Sequence, residues 1–168
     1  MAGMGFNVFR FSISWSRIFP TGEEAQPNEE GLKFYEDLID ELEKYGMQPL
    51  ITIHHDELPL ALAEKYDGWS SRHVIECYLH YCRVLFERFG RRCRYWLTFN
   101  EINAVRGFAA CGTHKADNQT HYNAVHNMFL ASARAVKLGH EMMPESMFGA
   151  MYACLLYTSD AADDLIGV

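Results

Sequence analysis

The 168-residue sequence lacks the features that mark several classes of protein. It has no apolar run approaching the roughly 18 to 20 residues that a membrane-spanning helix needs. Its first residues have neither the basic segment nor the long apolar stretch of a secretion signal. Its net charge is −7, so it also lacks the basic surface that nucleic-acid phosphates require. These absences predict a protein with no nucleic-acid partner and no membrane partner.

Cysteine is present without any of its usual patterns. The five cysteines form no C-x-x-C pair and no evident disulfide framework. Cys77 and Cys82 lie on a predicted helix, about 140° apart around its axis, so they face different sides. We therefore predict neither a metal site nor a disulfide network. A reducing compartment is favoured, and the cytoplasm is the predicted location.

Four strand-like runs alternate with helical patterns along the chain, at residues 6–14, 48–54, 95–99 and 147–153. Such alternation indicates parallel βα units, and both an open doubly wound sheet and a closed barrel satisfy it. The chain has no Gly-rich phosphate turn, and polar residues follow three of the strands. Barrel enzymes build their sites at the carboxyl ends of several strands. The predicted fold class is therefore α/β, a partial (β/α)8 TIM barrel that holds about strands 2 to 5.

The helical patterns carry recognisable ends and apolar faces. The first has Asn28 as a predicted N-cap and Gly46 as its stop, and its predicted apolar face is Leu32, Tyr35, Leu38, Ile39, Leu42 and Tyr45. The second has Ser70 or Ser71 as its cap and ends before Gly90, and its predicted apolar positions are Val74, Ile75, Tyr78, Leu85, Phe86 and Phe89. The third has Thr120 as its cap, and its predicted apolar positions are Tyr122, Val125, Phe129, Ala133 and Val136.

The regular alternation defines one domain over residues 1–153. Residues 154–168 break the pattern, because an acidic, Ala-rich run replaces the expected helix. We interpret this tail as translated sequencing-adapter read-through and exclude it from the functional analysis. A complete barrel has eight βα units and typically about 250 residues, so we expect the chain to be part of a longer enzyme and inactive alone.

A buried-looking strand at residues 95–99 is followed at once by Asn100 and Glu101. A glutamate among aromatic neighbours has a raised pKa, which keeps it protonated and makes it a proton donor near neutral pH. The alternative is that Asn100 and Glu101 cap the next helix. The pattern alone leaves both interpretations open.

Charged and histidine side chains also occur in the two preceding strands. His54 and His55 belong to a run of His, Asp and Glu residues, which are common metal ligands. Adjacent strand residues point to opposite faces, however, so these two histidines cannot easily chelate one ion. We expect His54 to pack against the helices instead. Arg10 is a charge within an apolar strand, which is costly unless it meets a carboxylate or hydrogen-bond acceptors. It is predicted to orient an acidic group in the site, and the alternative is an ion pair in the barrel wall.

Four motifs together resemble glycoside hydrolase family 1 in order and spacing: residues 9–20 (FRFSISWSRIFP), 55–59 (HDELP), 68–69 (GW) and 96–101 (WLTFNE). The resemblance extends over residues 4–153. It implies retaining hydrolysis of β-glycosides, with a small-molecule carbohydrate as substrate and no cofactor or metal.

The resemblance also implies a role for each matching residue. Glu101 would be the catalytic acid/base, Asn100 would hydrogen-bond the sugar 2-hydroxyl, His55 would contact the glycon, and Arg10 would position the nucleophile. Retaining chemistry needs a second carboxylate roughly 5 to 5.5 Å from the first. The family supplies it from a Thr-Glu-Asn-Gly motif that this sequence lacks, and the Gln of the first family strand is lacking too.

The form of the motifs at residues 55–59 and 67–70 is nearest to the branch that hydrolyses 6-phospho-β-glucosides in the bacterial cytoplasm. Asp56 departs from the family, which usually has Trp or Phe after the histidine. The rival hypothesis from another class is a non-catalytic carbohydrate-binding or assembly half-barrel. Such a half-barrel would need a partner for its open sheet edges.

Overall fold

The computed structural model describes residues 1–153, which form a four-stranded parallel sheet. The strands are β1 (Val8–Ser12), β2 (Gln48–His54), β3 (Tyr95–Phe99) and β4 (Met147–Gly149). The predicted limits of β2 and β3 are confirmed, whereas β1 and β4 are shorter than predicted. The predicted read-through tail lies outside the described residues.

Within residues 1–153, six α-helices lie between the strands along the chain: α1 (Trp15–Ile18), α2 (Glu29–Lys44), α3 (Leu60–Tyr66), α4 (His73–Phe89), α5 (Gly107–Cys111) and α6 (Asn118–Met142). Two short 3-10 helices span Ala2–Met4 and Gly68–Ser70. The sheet order is β1-β2-β3-β4, so each strand pairs with the next one in sequence. A doubly wound sheet reverses its order at a switch point, and these four strands show no reversal. The arrangement is that of a partial (β/α)8 barrel, as predicted.

Helices α2 and α4 pack their predicted apolar faces against the sheet. Leu32 and Ile39 of α2 are buried, as are the α4 positions Val74, Tyr78 and Phe86. Burying each such side chain contributes on the order of 1.5 to 3 kcal/mol. These two helices therefore account for much of the core.

The predicted ends of α2 are confirmed by its hydrogen bonds. The Asn28 side chain accepts from the amide of Glu30 at 3.2 Å, which is N-cap geometry. Gly46 follows the helix with φ of 66°, in the left-handed region that favours glycine. Tyr45 was predicted to lie on the apolar face, but it is exposed because it sits at the C-cap, where the helix has already ended.

The predicted start and face of α6 are wrong. The cap is Asp117, whose carboxylate accepts from the amide of Thr120 at 2.9 Å. Tyr122 and Phe129 are exposed, and the buried positions are mostly small: Ala124, Asn127, Met128, Ala131, Ala135 and Gly139. The reason is close approach, since a Cβ added at Gly139 would lie 2.3 Å from the ring of Phe148. Periodicity alone cannot choose between an aromatic stripe and a stripe of small residues when both repeat at helical spacing.

The start of α4 is close to the predicted position. The helix begins at His73, whose amide donates to the Ser71 hydroxyl at 3.2 Å. At its other end, Arg88 forms an ion pair with Glu36 of α2, and Arg92, just past the end of α4, forms one with Glu43 of α2. These pairs tie the two helices together on the outer surface.

Over residues 1–153 the cysteines are buried and free, namely Cys77, Cys82, Cys93 and Cys111. Their pKa values are raised by burial, that of Cys77 to about 11. No helix within this range has both the length and the apolar character needed to cross a membrane.

Candidate active site

The carboxyl ends of β2 and β3 lie side by side, and their pairing continues one step past the strands. The amide of Asn100 donates to the carbonyl oxygen of His54 at 2.9 Å. His55 and Glu101 each follow one of these bonded residues. The backbone therefore brings His55, Asn100 and Glu101 to the same edge of the sheet, where barrel enzymes assemble their sites.

Arg10 reaches this edge from β1 and finds three acceptors. Its Nε donates to Thr52 Oγ1 at 3.0 Å, its Nη2 donates to Asn100 Oδ1 at 2.7 Å, and its Nη1 lies 2.8 Å from Met151 Sδ. Within residues 1–153 Arg10 has no carboxylate partner, so the predicted barrel-wall ion pair is not found there. The hydrogen-bonded guanidinium fixes the orientation of the Asn100 amide, which is buried.

Glu101 is half-buried and sits in an uncommon backbone conformation. Its φ is 41°, in the left-handed region, and its carbonyl oxygen accepts from the amide of Ala104 at 2.7 Å. The helix-cap interpretation of Asn100 and Glu101 is wrong, because α5 begins after Arg106 and α6 after Asp117. A turn thus presents the Glu101 carboxylate at the edge of the sheet without committing it to a helix end.

A cavity of about 230 Å³ lies beside Glu101. Asp56 and Arg106 bring opposite charges to its wall, and Val105 adds an apolar surface. Asp56 also has a positive φ, of 54°. The position after His55, where the resemblance leads one to expect an aromatic ring, is therefore a carboxylate that faces the same cavity as Glu101.

The two adjacent histidines have opposite surroundings. His54 is 1% exposed and packs against Trp69 and Phe99, with ring centroids 5.5 and 5.0 Å away. Burial, with a smaller effect from His55, lowers the pKa of His54 to about 3, so it is neutral near pH 7. His55 is exposed. The prediction that His54 packs structurally is confirmed.

Glu57 also lies at this edge and accepts hydrogen bonds that the sequence did not predict. The hydroxyls of Ser14 and Ser16 both donate to Glu57 Oε1. This contact joins the segment after β1 to the segment after β2. The partners lie 43 and 41 residues apart in sequence, so no local pattern could have found them.

A parallel sheet whose strand order follows the sequence without reversal, with polar groups gathered at the carboxyl ends of its strands, is the arrangement of the (β/α)8 barrel class. The model of glycosyl hydrolase family 1 matches residues 1–162, and this chain belongs to that family. The motif residues Arg10, His55, Asn100 and Glu101 all lie within the match.

Two similar proteins come from bacteria. An aryl-phospho-β-D-glucosidase of Bacillus subtilis is 49% identical over 158 residues, which cover 90% of this chain and 34% of that protein. A 6-phospho-β-glucosidase of Dickeya chrysanthemi is 48% identical, over 89% of this chain and 33% of that protein. This chain thus spans about a third of the length of these relatives.

A solved structure shares the fold. A family 1 β-glucosidase from Thermotoga maritima matches with a TM-score of 0.82 and 39% identity, over 90% of this chain and 34% of that one. The same enzyme bound to castanospermine gives a TM-score of 0.82, with 39% identity over 90% of this chain and 35% of that chain.

Proposed function

We propose that the protein to which this chain belongs hydrolyses β-glycosides with retention, and that 6-phospho-β-glucosides are its substrates. The observation that carries the proposal is the contact of Arg10 with Asn100, next to Glu101, in a member of glycosyl hydrolase family 1. The phosphorylated substrate class is supported by the names of two similar proteins, an aryl-phospho-β-D-glucosidase and a 6-phospho-β-glucosidase.

The geometry suits the proposed role of each residue. Because Arg10 occupies the Asn100 oxygen, the Asn100 amide nitrogen is turned toward other partners and can donate to a sugar 2-hydroxyl. Glu101 follows it directly and acts as the general acid that protonates the departing oxygen, then as the base that activates water. His55, exposed at the same edge, contacts the glycon.

Arg10 acts in this proposal as a positioning residue. Besides fixing Asn100, its guanidinium is a persistent positive charge at the sheet edge, where it would orient the carboxylate nucleophile. Retention requires that second carboxylate roughly 5 to 5.5 Å from the first. The sequence contains no Thr-Glu-Asn-Gly motif to supply it, so we expect the 168-residue chain alone to hydrolyse no aryl β-glucoside. The four buried, free cysteines of the described residues suit a reducing compartment, and the cytoplasm is the proposed location.

The experiment replaces Glu101 with Gln in the full-length protein and compares leaving groups. General acid catalysis contributes typically about 10² to 10⁴ in rate, and it matters most for a poor leaving group. Glu101→Gln should therefore cripple hydrolysis of alkyl and disaccharide 6-phospho-β-glucosides. Glycosylation by nitrophenyl glycosides should be spared far more, and azide should restore turnover and yield the β-glycosyl azide.

Glu64→Gln is the matched control, because Glu64 is an exposed glutamate on α3 and the variant should keep wild-type rates on every substrate. Running the same assays on unphosphorylated glucosides tests the substrate class separately. Equal loss on good and poor leaving groups, with no effect of azide, would show that Glu101 is not the acid/base.

A further inference from the structure

Three side chains that bind metals in other proteins lie close together, two of them exposed and one, Cys77, buried, and none of them has a role in the proposed glycosidase site. Glu23 comes from the segment between α1 and α2, while His73 and Cys77 lie on α4. One ligand atom from each lies within 4.8 Å of the other two. His73 and Cys77 are four residues apart on one helix, so both face the same side.

The neighbours of these residues hold their side chains in place. The His73 Nε2 atom lies 2.8 Å from Glu23 Oε1, and the His73 ring packs against the Tyr66 ring at a centroid distance of 4.5 Å. The Tyr66 hydroxyl donates to Glu23 Oε1 at 2.7 Å, and Lys65 Nζ donates to Glu23 Oε2 at 2.8 Å. The neutral Tyr66 hydroxyl thus orients the carboxylate, as hydrogen-bond partners of metal ligands commonly do.

We propose that Glu23, His73 and Cys77 bind a divalent transition-metal ion of the Zn²⁺ type. A mixed set of sulfur, nitrogen and carboxylate oxygen donors suits Zn²⁺, whereas Mg²⁺ and Ca²⁺ prefer oxygen alone. Three protein ligands leave the fourth tetrahedral position to water. Metal ligation replaces the hydrogen bond between His73 and Glu23, and the Cys77 thiol gives its proton to solvent as it becomes a ligand.

Bond lengths show how far the site is from the bound geometry. Zn²⁺ bonds are about 2.0 to 2.3 Å long, so tetrahedral ligand atoms lie roughly 3.3 to 3.8 Å apart. Donor atoms already within 4.8 Å of one another can reach this spacing by side-chain adjustment. The ammonium of Lys65 opposes a cation here, so its removal should tighten binding. A bound ion would join the segment before α2 to α4 and stabilise that contact.

The test is a Co²⁺ titration of metal-free, full-length protein. Cobalt reports its ligands directly, and we expect a thiolate-to-cobalt charge-transfer band in the near ultraviolet together with the visible bands of a four-coordinate ion. Zn²⁺ should displace the cobalt and abolish both. His73→Ala and Glu23→Gln should each weaken cobalt binding by about 10-fold or more, and Lys65→Met should strengthen it.

Cys77→Ser should lose the charge-transfer band, while its matched control Cys93→Ser, which alters another buried cysteine, should keep it. His73 and Glu23 are exposed, so their variants test the site even if a change at buried Cys77 impairs folding. No charge-transfer band in the wild type, or a band unchanged in His73→Ala and Glu23→Gln, would overturn the proposal and leave a hydrogen-bonded surface network.

Discussion

Two regions that each include residues in or next to β2 and β3 differ in whether their polar atoms have hydrogen-bond partners. The ring cluster, formed by His54 with Trp15, Trp69, Tyr78, Tyr81 and Phe99, is fully buried. Its members His54 Nε2, Trp15 Nε1 and Trp69 Nε1 have no hydrogen-bond partner within the described residues. The polar edge, formed by Arg10 with Thr52, Asn100 and Glu101, leaves Arg10 exposed yet gives its guanidinium three acceptors.

This difference in burial and hydrogen bonding predicts that the ring cluster stabilises the fold and that the polar edge orients groups of the proposed active site. Burial of aromatic area stabilises the ring cluster strongly enough to tolerate unsatisfied nitrogens. Arg10 is exposed, so little of its surface is buried at the polar edge. The hydrogen bonds of Arg10 therefore orient neighbouring groups more than they stabilise the fold. Substitutions in the first region should change the free energy of unfolding, and substitutions in the second should change activity.

The largest expected effect comes from Trp69→Ala in the ring cluster. Trp69 is 0% exposed and contacts Trp15, His54, Tyr78 and Phe99. Removing it should lower the free energy of unfolding by about 3 to 5 kcal/mol, measured by urea denaturation of the full-length protein. Tyr45→Ala, at an exposed ring, should change it by less than about 0.5 kcal/mol. Similar losses in the two variants would contradict the ring cluster as a source of stability.

The polar edge should respond to Arg10→Ala in the opposite way. Arg10→Ala releases the Asn100 amide and, under the proposed function, removes the charge that orients the nucleophile, so kcat/KM should fall by about 10²-fold. It also leaves the buried Thr52 and Asn100 oxygens without this donor, so the free energy of unfolding should fall by about 1 to 3 kcal/mol, less than in Trp69→Ala. Thr52→Val removes only one of the acceptors and should have a smaller effect on kcat/KM. An Arg10→Ala protein that unfolds easily but retains full activity would break the comparison.

A smaller effect should appear in the pH dependence of stability, because the pKa of His54 is lowered from 6.5 to about 3 in the folded protein. Below about pH 6.5 the unfolded chain binds a proton that the folded chain does not, so His54 makes stability fall as pH decreases toward 3. Between pH 7 and pH 5 the loss should be about 2 kcal/mol.

The measurement is the free energy of unfolding at both pH values for the wild type and His54→Phe. Between the two pH values the free energy of unfolding of His54→Phe should fall by less than that of the wild type, and the difference should equal the loss attributed to His54. His55→Phe changes the exposed neighbour, so its free energy of unfolding should fall as much as that of the wild type. Parallel pH profiles for the wild type and His54→Phe would show that His54 is not held neutral by burial.

The fold could be predicted well where local signals and packing agree. In α2, the Asn28 cap, the Gly46 stop and one apolar face all indicate the same helix. In α6 the signals conflict, because the aromatic stripe through Tyr122 and Phe129 is the more hydrophobic one. The close contact of Gly139 with Phe148 selects the stripe of small residues instead, and this contact depends on chain segments that no local window contains.

The candidate site likewise has features that local patterns predict and features that depend on residues far apart in sequence. Strand alternation and motif order suffice to bring Arg10, Asn100 and Glu101 to one edge of the sheet. They do not give the acceptors of Arg10, since Thr52 and Met151 are 42 and 141 residues away in sequence. The group of Glu23, His73 and Cys77 escaped prediction for the same reason, because its carboxylate lies 50 residues before its histidine.

The left-handed backbone at Glu101 has an evolutionary consequence. A conformation with φ of 41° costs a residue with a Cβ roughly 1 to 2 kcal/mol, a penalty that glycine escapes. Selection for stability alone would therefore favour glycine here, whereas the proposed acid/base role requires selection for a carboxylate at this position. Laboratory evolution of this barrel toward heat resistance, run without an activity screen, would be expected to discard Glu101 early.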